Sequence, residues 1–149
     1  MKKHQSVDIP GEMLERVGIR KTKKRSLILD IIAESSEPLT HPEIQDIIEQ
    51  RYPLIPMNRV TIYRILDLLV GNGLLNRISS PDHTDRYCLG ESRKHPGHAH
   101  FYCTVCKQMQ CVGTEEISWN LKVKKGFGGR IEMFQILIDG TCQNCVPAV

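Results

Sequence analysis

Aromatic residues are scarce in this sequence. They make up 5% of its 149 residues, so aliphatic side chains must fill most of the core. The sequence also lacks an apolar run long enough to cross a membrane and a leader of charged, apolar and small residues at its start. We therefore expect a cytoplasmic protein. Its net charge of +3 is too small to predict a nucleic-acid ligand by itself.

Cysteine is well represented, with six residues. In a reducing compartment, paired cysteines hold metal or take part in redox chemistry more often than they form disulfides. Two Cys-x-x-Cys pairs, Cys103/Cys106 and Cys142/Cys145, each place two thiolates on one tight turn, and together they predict a tetrahedral structural zinc site. A thioredoxin-like redox pair is the rival interpretation, but the flanking βαβ pattern typical of that fold is missing.

Further ligand-type residues remain after these four cysteines are used: Cys88, His98, His100 and Cys111. His98 and His100 alternate on an extended segment, so their imidazoles point to the same face. Four soft or borderline ligands beside a domain boundary favour a regulatory metal site over solvated histidines and buried, inert cysteines. The residues that could replace one member of this set are His83, Glu91 and His95.

The first half of the sequence predicts four helices. Thr22 can cap the second helix, and Thr40 with Glu43 forms a capping box for the third. Asn58 can cap a fourth helix, Arg59–Val70, which carries an apolar stripe at three-to-four spacing and stops at a Gly-Asn-Gly turn.

Two alternating segments, Leu74–Ser79 and Asp85–Leu89, then predict a hairpin. Helices closed by a hairpin have the order of a winged helix-turn-helix, in which the fourth helix would be the recognition helix. Side chains off its apolar stripe that suit phosphate or base edges are Arg59, Thr61, Tyr63 and Arg64. A cluster of six basic residues between positions 16 and 25 can meet phosphate, although such a run is by itself more typical of a solvated helix end.

Beyond residue 90 the sequence predicts a second, small α/β unit. It would contain strands at His100–Cys103 and Met109–Val112, a helix near Glu115–Lys125 and a strand at Ile131–Ile138. The fold class is therefore α+β. The predicted division is a winged-helix domain at 1–90, a hinge at 91–97, and a dimerisation and metal-binding domain at 98–149. The core of the second unit looks too thin to be stable without zinc.

Three motifs resemble the ferric uptake regulator family. Gly18–Arg25 resembles its Gly-x-Arg-x-Thr-x-x-Arg opening, and Arg59–Leu66 resembles its Ala-Thr-Val-Tyr-Arg-x-Leu recognition helix. His98–Cys106 resembles its His-x-His-x-x-Cys-x-x-Cys junction. The late Cys142/Cys145 pair completes a match that runs from about residue 12 to 145.

This resemblance implies a homodimer that binds double-stranded operator DNA, with metal at the hinge setting the DNA affinity. It implies that the four Cys-x-x-Cys cysteines hold the structural zinc and that His98 and His100 are sensing ligands. Tyr63 and Arg64 correspond to the positions of the family's recognition helix that contact DNA. Arg20 and Arg25 belong to the basic opening, Gly18–Arg25.

Two departures from the family pattern bear on the metal. Cys88 stands where a wing-end glutamate is expected, and Cys111 stands where another follows the first Cys-x-x-Cys pair. Sulfur with imidazole suits Zn²⁺, whereas carboxylate-rich sites suit iron or manganese. A cysteine ligand here also resembles the zinc uptake regulator branch. The prediction is a zinc-responsive repressor that binds a regulatory and a structural Zn²⁺.

Other classes of protein are less compatible with the sequence. An iron-, manganese- or peroxide-responsive member of the same family is one alternative, with Fe²⁺ or Mn²⁺ as the regulatory metal, and a Cys88/Cys111 thiol redox switch is another. A zinc deaminase requires a His-x-Glu motif and a Pro-Cys-x-x-Cys motif, and the sequence contains neither. We therefore expect no enzymatic activity, no small-molecule substrate and no membrane partner.

Overall fold

The computed structural model describes residues 10–90, 97–132 and 134–147. The chain divides into two compact units, Met1–Pro96 and Gly97–Val149. The predicted hinge at 91–97 lies, apart from Gly97, outside the described residues. No helix in the described part of the chain is long and apolar enough to span a membrane.

The first unit contains four helices: α1 (Pro10–Arg16), α2 (Lys23–Glu34), α3 (His41–Arg51) and α4 (Arg59–Gly71). Side chains cap three of them as the sequence predicts. Thr22 accepts the Arg25 backbone N–H at the start of α2, and the capping box of Thr40 and Glu43 is formed at the start of α3. These caps satisfy backbone donors that the first helical turn leaves without partners.

Aliphatic side chains from all four helices form the core of this unit. Leu14, Ile28, Ile44 and Leu66 are fully buried. In α4 the buried positions are Ile62, Ile65, Leu66 and Leu69. Their i, i+3, i+4, i+7 spacing places one face of the helix in the core and leaves the other outside.

A three-stranded sheet completes the unit. Strands β2 (Leu75–Ser79) and β3 (Asp85–Leu89) form the predicted antiparallel hairpin. The two-residue strand β1 (Leu39–Thr40), which was not predicted from the sequence, pairs with β3 and gives the order β1-β3-β2. Two residues are too few to show an alternating pattern. β1 anchors the residue before α3 to the sheet.

The second unit is built on strands β4 (Ala99–Cys103), β5 (Met109–Val112) and β6 (Leu137–Gly140), in the order β5-β4-β6. β4 pairs antiparallel with β5 and parallel with β6. The α+β class and the winged-helix arrangement of the first unit are as predicted.

Two predictions for the second unit were wrong. Residues 115–125 form turns and irregular structure rather than a helix, and Leu121 and Val123 are each 57% exposed. An amphipathic helix is stable mainly when its apolar face is buried, and the described residues of a single chain leave these side chains exposed. Among the described residues of the strand predicted at Ile131–Ile138, only the last two are in a strand, since β6 begins at Leu137; Ile131 is 45% exposed.

Candidate metal centres and nucleic-acid interface

Four thiols come together at one end of the second unit's sheet. Cys103 ends β4, which pairs in parallel with β6, and β6 leads directly to Cys142. The ligand atoms of Cys103, Cys106, Cys142 and Cys145 all lie within 4.8 Å of one another. The sulfurs of Cys106 and Cys142 are 3.8 Å apart. This is about the edge of a tetrahedron with ~2.3 Å Zn–S bonds, so the donor set fits a zinc ion.

Backbone donors surround the sulfur of Cys103. The N–H groups of Cys106 and Cys142 point at it from 3.5 and 3.3 Å. They lower the pKa of the Cys103 thiol to about 6, whereas the hydrogen bond with Cys142 raises the pKa of Cys145 to about 12. These donors favour the thiolate form of Cys103, and a thiolate is the form that binds metal.

A second donor cluster lies on the same sheet. His100 in β4 is paired with Cys111 in β5, and cross-strand partners project to the same side of a sheet. His98 precedes β4, and its ring lies edge-on to His100 with centroids 4.6 Å apart. The ligand atoms of these three residues lie within 4.8 Å of one another. Sulfur and imidazole nitrogen are both good zinc ligands.

Cys88, the fourth residue of the predicted regulatory set, belongs to the first unit. It lies in β3, opposite Asn76 of β2, and is 5% exposed. All six cysteines are thiols rather than disulfides. Of the three alternative ligands, His83 lies in the hairpin turn with a φ of 61°, and Glu91 and His95 lie outside the described residues.

The predicted DNA-reading side chains lie on the outer face of α4. Arg59, Tyr63 and Arg64 are exposed and Thr61 is partly exposed. Asn58 caps the helix by accepting the Thr61 backbone N–H at 2.8 Å. The Arg59 guanidinium carbon lies 5.5 Å from the centre of the Tyr63 ring, a cation–π contact. These side chains form one polar and aromatic surface over the first two turns of α4.

His41 is a neighbour of this surface that was not predicted from the sequence. Its ring stacks on Tyr63 with centroids 4.0 Å apart and an angle of 20° between the planes. Its Nε2 lies 3.2 Å from the carbonyl oxygen of Arg59. The sequence signal was only a histidine at the first position of a helix, and nothing local predicts which helix it contacts.

The basic opening lies at the start of α2. Arg20 is exposed and Arg25 is partly buried. The Arg25 guanidinium donates to the Arg20 carbonyl oxygen at 2.7 Å. Arg25 therefore fixes the backbone that carries Arg20. In this arrangement Arg20 has the more accessible charge.

The turn of the β2–β3 hairpin is held by a polar network. Arg86, 8% exposed, donates to the Ser80 hydroxyl and lies 3.4 Å from Asp82. The pKa of Asp82 is well below its usual range, mainly because the Ser80 hydroxyl donates a hydrogen bond to its carboxylate. Arg86 lowers this pKa further. This network gives the wing a defined tip.

Comparison with known proteins matches residues 16–131, most of the chain, to the ferric uptake regulator family. A zinc uptake regulation protein of Escherichia coli is 27% identical over 133 residues, covering 86% of this chain and 74% of that protein. A peroxide operon regulator of Bacillus subtilis is 26% identical over 137 residues, covering 90% and 89%. The two sequence identities are nearly equal, so they favour neither zinc nor peroxide as the signal to which this chain responds.

Among solved structures, a ferric uptake regulator from Pseudomonas aeruginosa with manganese has a similar fold. The TM-score is 0.70 at 16% sequence identity, and the alignment covers 91% of this chain and 98% of that one. At this identity the likeness establishes the fold alone. The metal preference of this chain depends on its own donor atoms.

Proposed function

This chain belongs to the ferric uptake regulator family of metal-responsive, DNA-binding transcription regulators, and from that premise we propose that it is a zinc-responsive repressor that binds operator DNA as a homodimer. The family consists of regulators rather than enzymes, and we assign this chain no catalytic activity.

The observation that carries the choice of zinc is the pairing of His100 with Cys111 beside His98. In this cluster a thiol stands among imidazoles, and the residues that the structure describes add no carboxylate to the set. Hard, oxygen-rich sites favour iron or manganese in this kind of regulator, whereas sulfur and nitrogen favour zinc. We therefore assign Zn²⁺ rather than Fe²⁺ or Mn²⁺ to this site.

Cys88 is our candidate for the fourth ligand. A tetrahedral zinc site needs one donor beyond His98, His100 and Cys111. Four of the six cysteines belong to the structural set and one is Cys111, which leaves Cys88 as the remaining thiol. It lies at the end of the wing, ten positions before His98 in the sequence, so a metal held by all four would cross-link the two units.

Such a cross-link explains how zinc would set DNA affinity. Cys88 belongs to the unit that contains α4, whereas His98, His100 and Cys111 belong to the second unit. When the four ligands converge, fewer relative orientations of the two units remain, and those retained would suit the operator. By linkage, operator DNA must then raise zinc affinity by the same factor as zinc raises DNA affinity. A coupling of about 1–3 kcal/mol corresponds to roughly 5–150-fold.

The Cys103, Cys106, Cys142 and Cys145 cluster has a different proposed role, that of a structural zinc site. Few apolar side chains of the second unit are buried; they include Ala99, Tyr102, Met109 and Val112. Zinc bound by four thiolates contributes folding free energy directly. This contribution would hold β4 and the turn after β6 together.

The outer face of α4 is the proposed reading surface. Arg64 can donate hydrogen bonds to a guanine edge or a phosphate, and Tyr63 can contact a phosphate or a thymine methyl group. Arg59 and Thr61 complete the first turn of the helix. Arg20 adds a phosphate contact, and Arg25 supports it through the backbone.

Dimerisation is proposed for the second unit because it exposes many large apolar side chains. They include Ile117, Leu121, Val123, Phe127, Ile131, Phe134 and Val146. Exposed apolar side chains that adjoin one another favour association with another protein. A second copy of the chain would bury these side chains, and segment 115–125 would gain the apolar contacts that a single chain does not provide.

A metal titration on DNA tests this proposal. The duplex is one selected by the protein from a randomised double-stranded library. Binding is then measured by fluorescence anisotropy in buffered Zn²⁺, Fe²⁺ and Mn²⁺ series with reductant present. We expect tightening at the lowest free concentration with Zn²⁺. Tightening by Fe²⁺ or Mn²⁺ at lower free concentration contradicts zinc sensing. A separate series omits the reductant and varies an oxidant at constant zinc; operator affinity that follows the oxidant there favours a Cys88/Cys111 switch.

A further inference from the structure

His41 occupies a fixed position next to the reading surface. Thr40, the residue before it, pairs with Arg86 in the sheet and caps α3. His41 therefore starts α3 from an anchored backbone. Its side chain is 4% exposed, too buried to contact DNA itself.

Two contacts join His41 to α4. The ring stacks on Tyr63 at 4.0 Å, and Nε2 lies 3.2 Å from the Arg59 carbonyl oxygen. A carbonyl oxygen only accepts hydrogen bonds, so Nε2 carries the proton and donates. The pKa of His41 is lowered, mainly because the ring is buried. The lowered pKa favours the neutral ring.

The stacking contact restrains the Tyr63 side chain. Tyr63 is 37% exposed, and exposed side chains change rotamer rapidly where no neighbour holds them. Ordering a side chain during binding reduces affinity. A ring already stacked before DNA arrives avoids that loss, and Arg59, which lies over the same ring, is restrained with it.

We propose that His41 is a positioning residue for DNA recognition: it holds the Tyr63 ring and the first turn of α4 in the conformation that meets the operator. This inference rests on the proposed role of α4 in binding DNA. It implies that His41, a buried residue of α3, contributes to operator affinity through Tyr63.

The test compares two uncharged replacements of similar size. His41→Phe keeps a ring that can stack on Tyr63, whereas His41→Leu fills the space without a ring. Each is made in the wild-type and in the Tyr63→Ala background. Operator affinity is measured at saturating zinc on the library-selected duplex, and the free energy of unfolding is measured in urea for every variant.

We expect His41→Leu to weaken operator binding about 3- to 10-fold, the size of one side chain's ordering cost, and His41→Phe to restore most of that loss. In the Tyr63→Ala background the two replacements should bind equally well. If His41 had only a structural role, operator affinity would change in parallel with the free energy of unfolding. Each replacement would then reduce the affinity by the same factor in both backgrounds. That additive result, or equal affinity of the two replacements in the wild-type background, overturns the inference.

The same cycle separates this inference from the proposed function. If Tyr63→Ala alone leaves operator affinity unchanged, the reading role of α4 fails and the role of His41 fails with it. If Tyr63→Ala weakens binding and the His41 replacements act additively with it, only the positioning role is overturned.

Discussion

The backbone N–H of Cys142 donates to the Cys103 sulfur at 3.3 Å, although the two residues are 39 positions apart. This contact joins the turn after β4 to the turn after β6. It brings the two Cys-x-x-Cys pairs into one cluster of four thiols. The proposed structural role of zinc follows from this arrangement, because a metal bound by all four thiolates would join the two turns directly.

Replacing Cys103 should therefore unfold the second unit. Cys103→Ser removes a ligand that zinc needs, and the thin apolar core cannot compensate for the lost folding free energy. We expect less tightly bound zinc by elemental analysis and loss of the dimer by sedimentation. Cys111→Ser is the matched control, since it removes a thiol from the same sheet yet should keep the structural zinc. A folded Cys103→Ser dimer without zinc would refute the structural role.

Arg64 should contribute strongly to operator binding. If it reads a base, Arg64→Ala should cost ~1–3 kcal/mol of binding free energy, while zinc content and dimerisation stay unchanged. Arg130→Ala is the control, because it removes an exposed arginine from the second unit. Anisotropy titrations at one salt concentration compare the variants. Equal losses for both arginines would mean that the effect is only one of total charge.

Structural features formed by residues close together in the sequence were predictable, whereas contacts between residues far apart in the sequence were not. The caps of α2, α3 and α4 are local, since Asn58 bonds to Thr61 only three positions later, and they were predicted correctly. The stacking of His41 on Tyr63 connects two helices, and no periodic pattern signals it. The prediction of a helix at 115–125 was wrong because its apolar residues stay exposed in the part of a single chain that the structure describes.

The exposed apolar residues of the second unit should support dimerisation. Leu121 is 57% exposed, and placing a charge there would put an aspartate into the proposed interface. Fully burying an exposed leucine is worth about 1.5–3 kcal/mol. Leu121 has just over half of that left to gain, because it is 57% exposed, and a dimer buries two copies. Leu121→Asp should therefore raise the dimer dissociation constant at least about 20-fold.

The control for that experiment is Leu54→Asp, which makes the same chemical change at a leucine of the first unit that is 94% exposed. Sedimentation velocity over a concentration series measures both variants. A Leu121→Asp protein that dimerises as tightly as Leu54→Asp would show that the interface lies elsewhere.

The wing tip should lose stability in acid because of Asp82. Its pKa is lowered in the folded state, chiefly by the Ser80 hydroxyl, so the carboxylate stabilises the fold above the unfolded-state pKa of about 3.9. That contribution disappears as pH falls through the lower folded-state value. Asp82→Asn should therefore be less stable than wild type at pH 7 in urea unfolding. The gap should narrow below about pH 4; a constant gap would argue against this linkage.

The most direct test of the proposed zinc sensor is operator binding by Cys88→Ser and His100→Ala across a buffered zinc series, with elemental analysis and sedimentation on the same samples. We predict that each variant keeps its structural zinc and its dimer but loses the zinc-dependent gain in affinity, which should be roughly 5–150-fold in wild type. Both variants responding at the same free zinc concentrations as wild type would contradict a sensor built from Cys88, His98, His100 and Cys111.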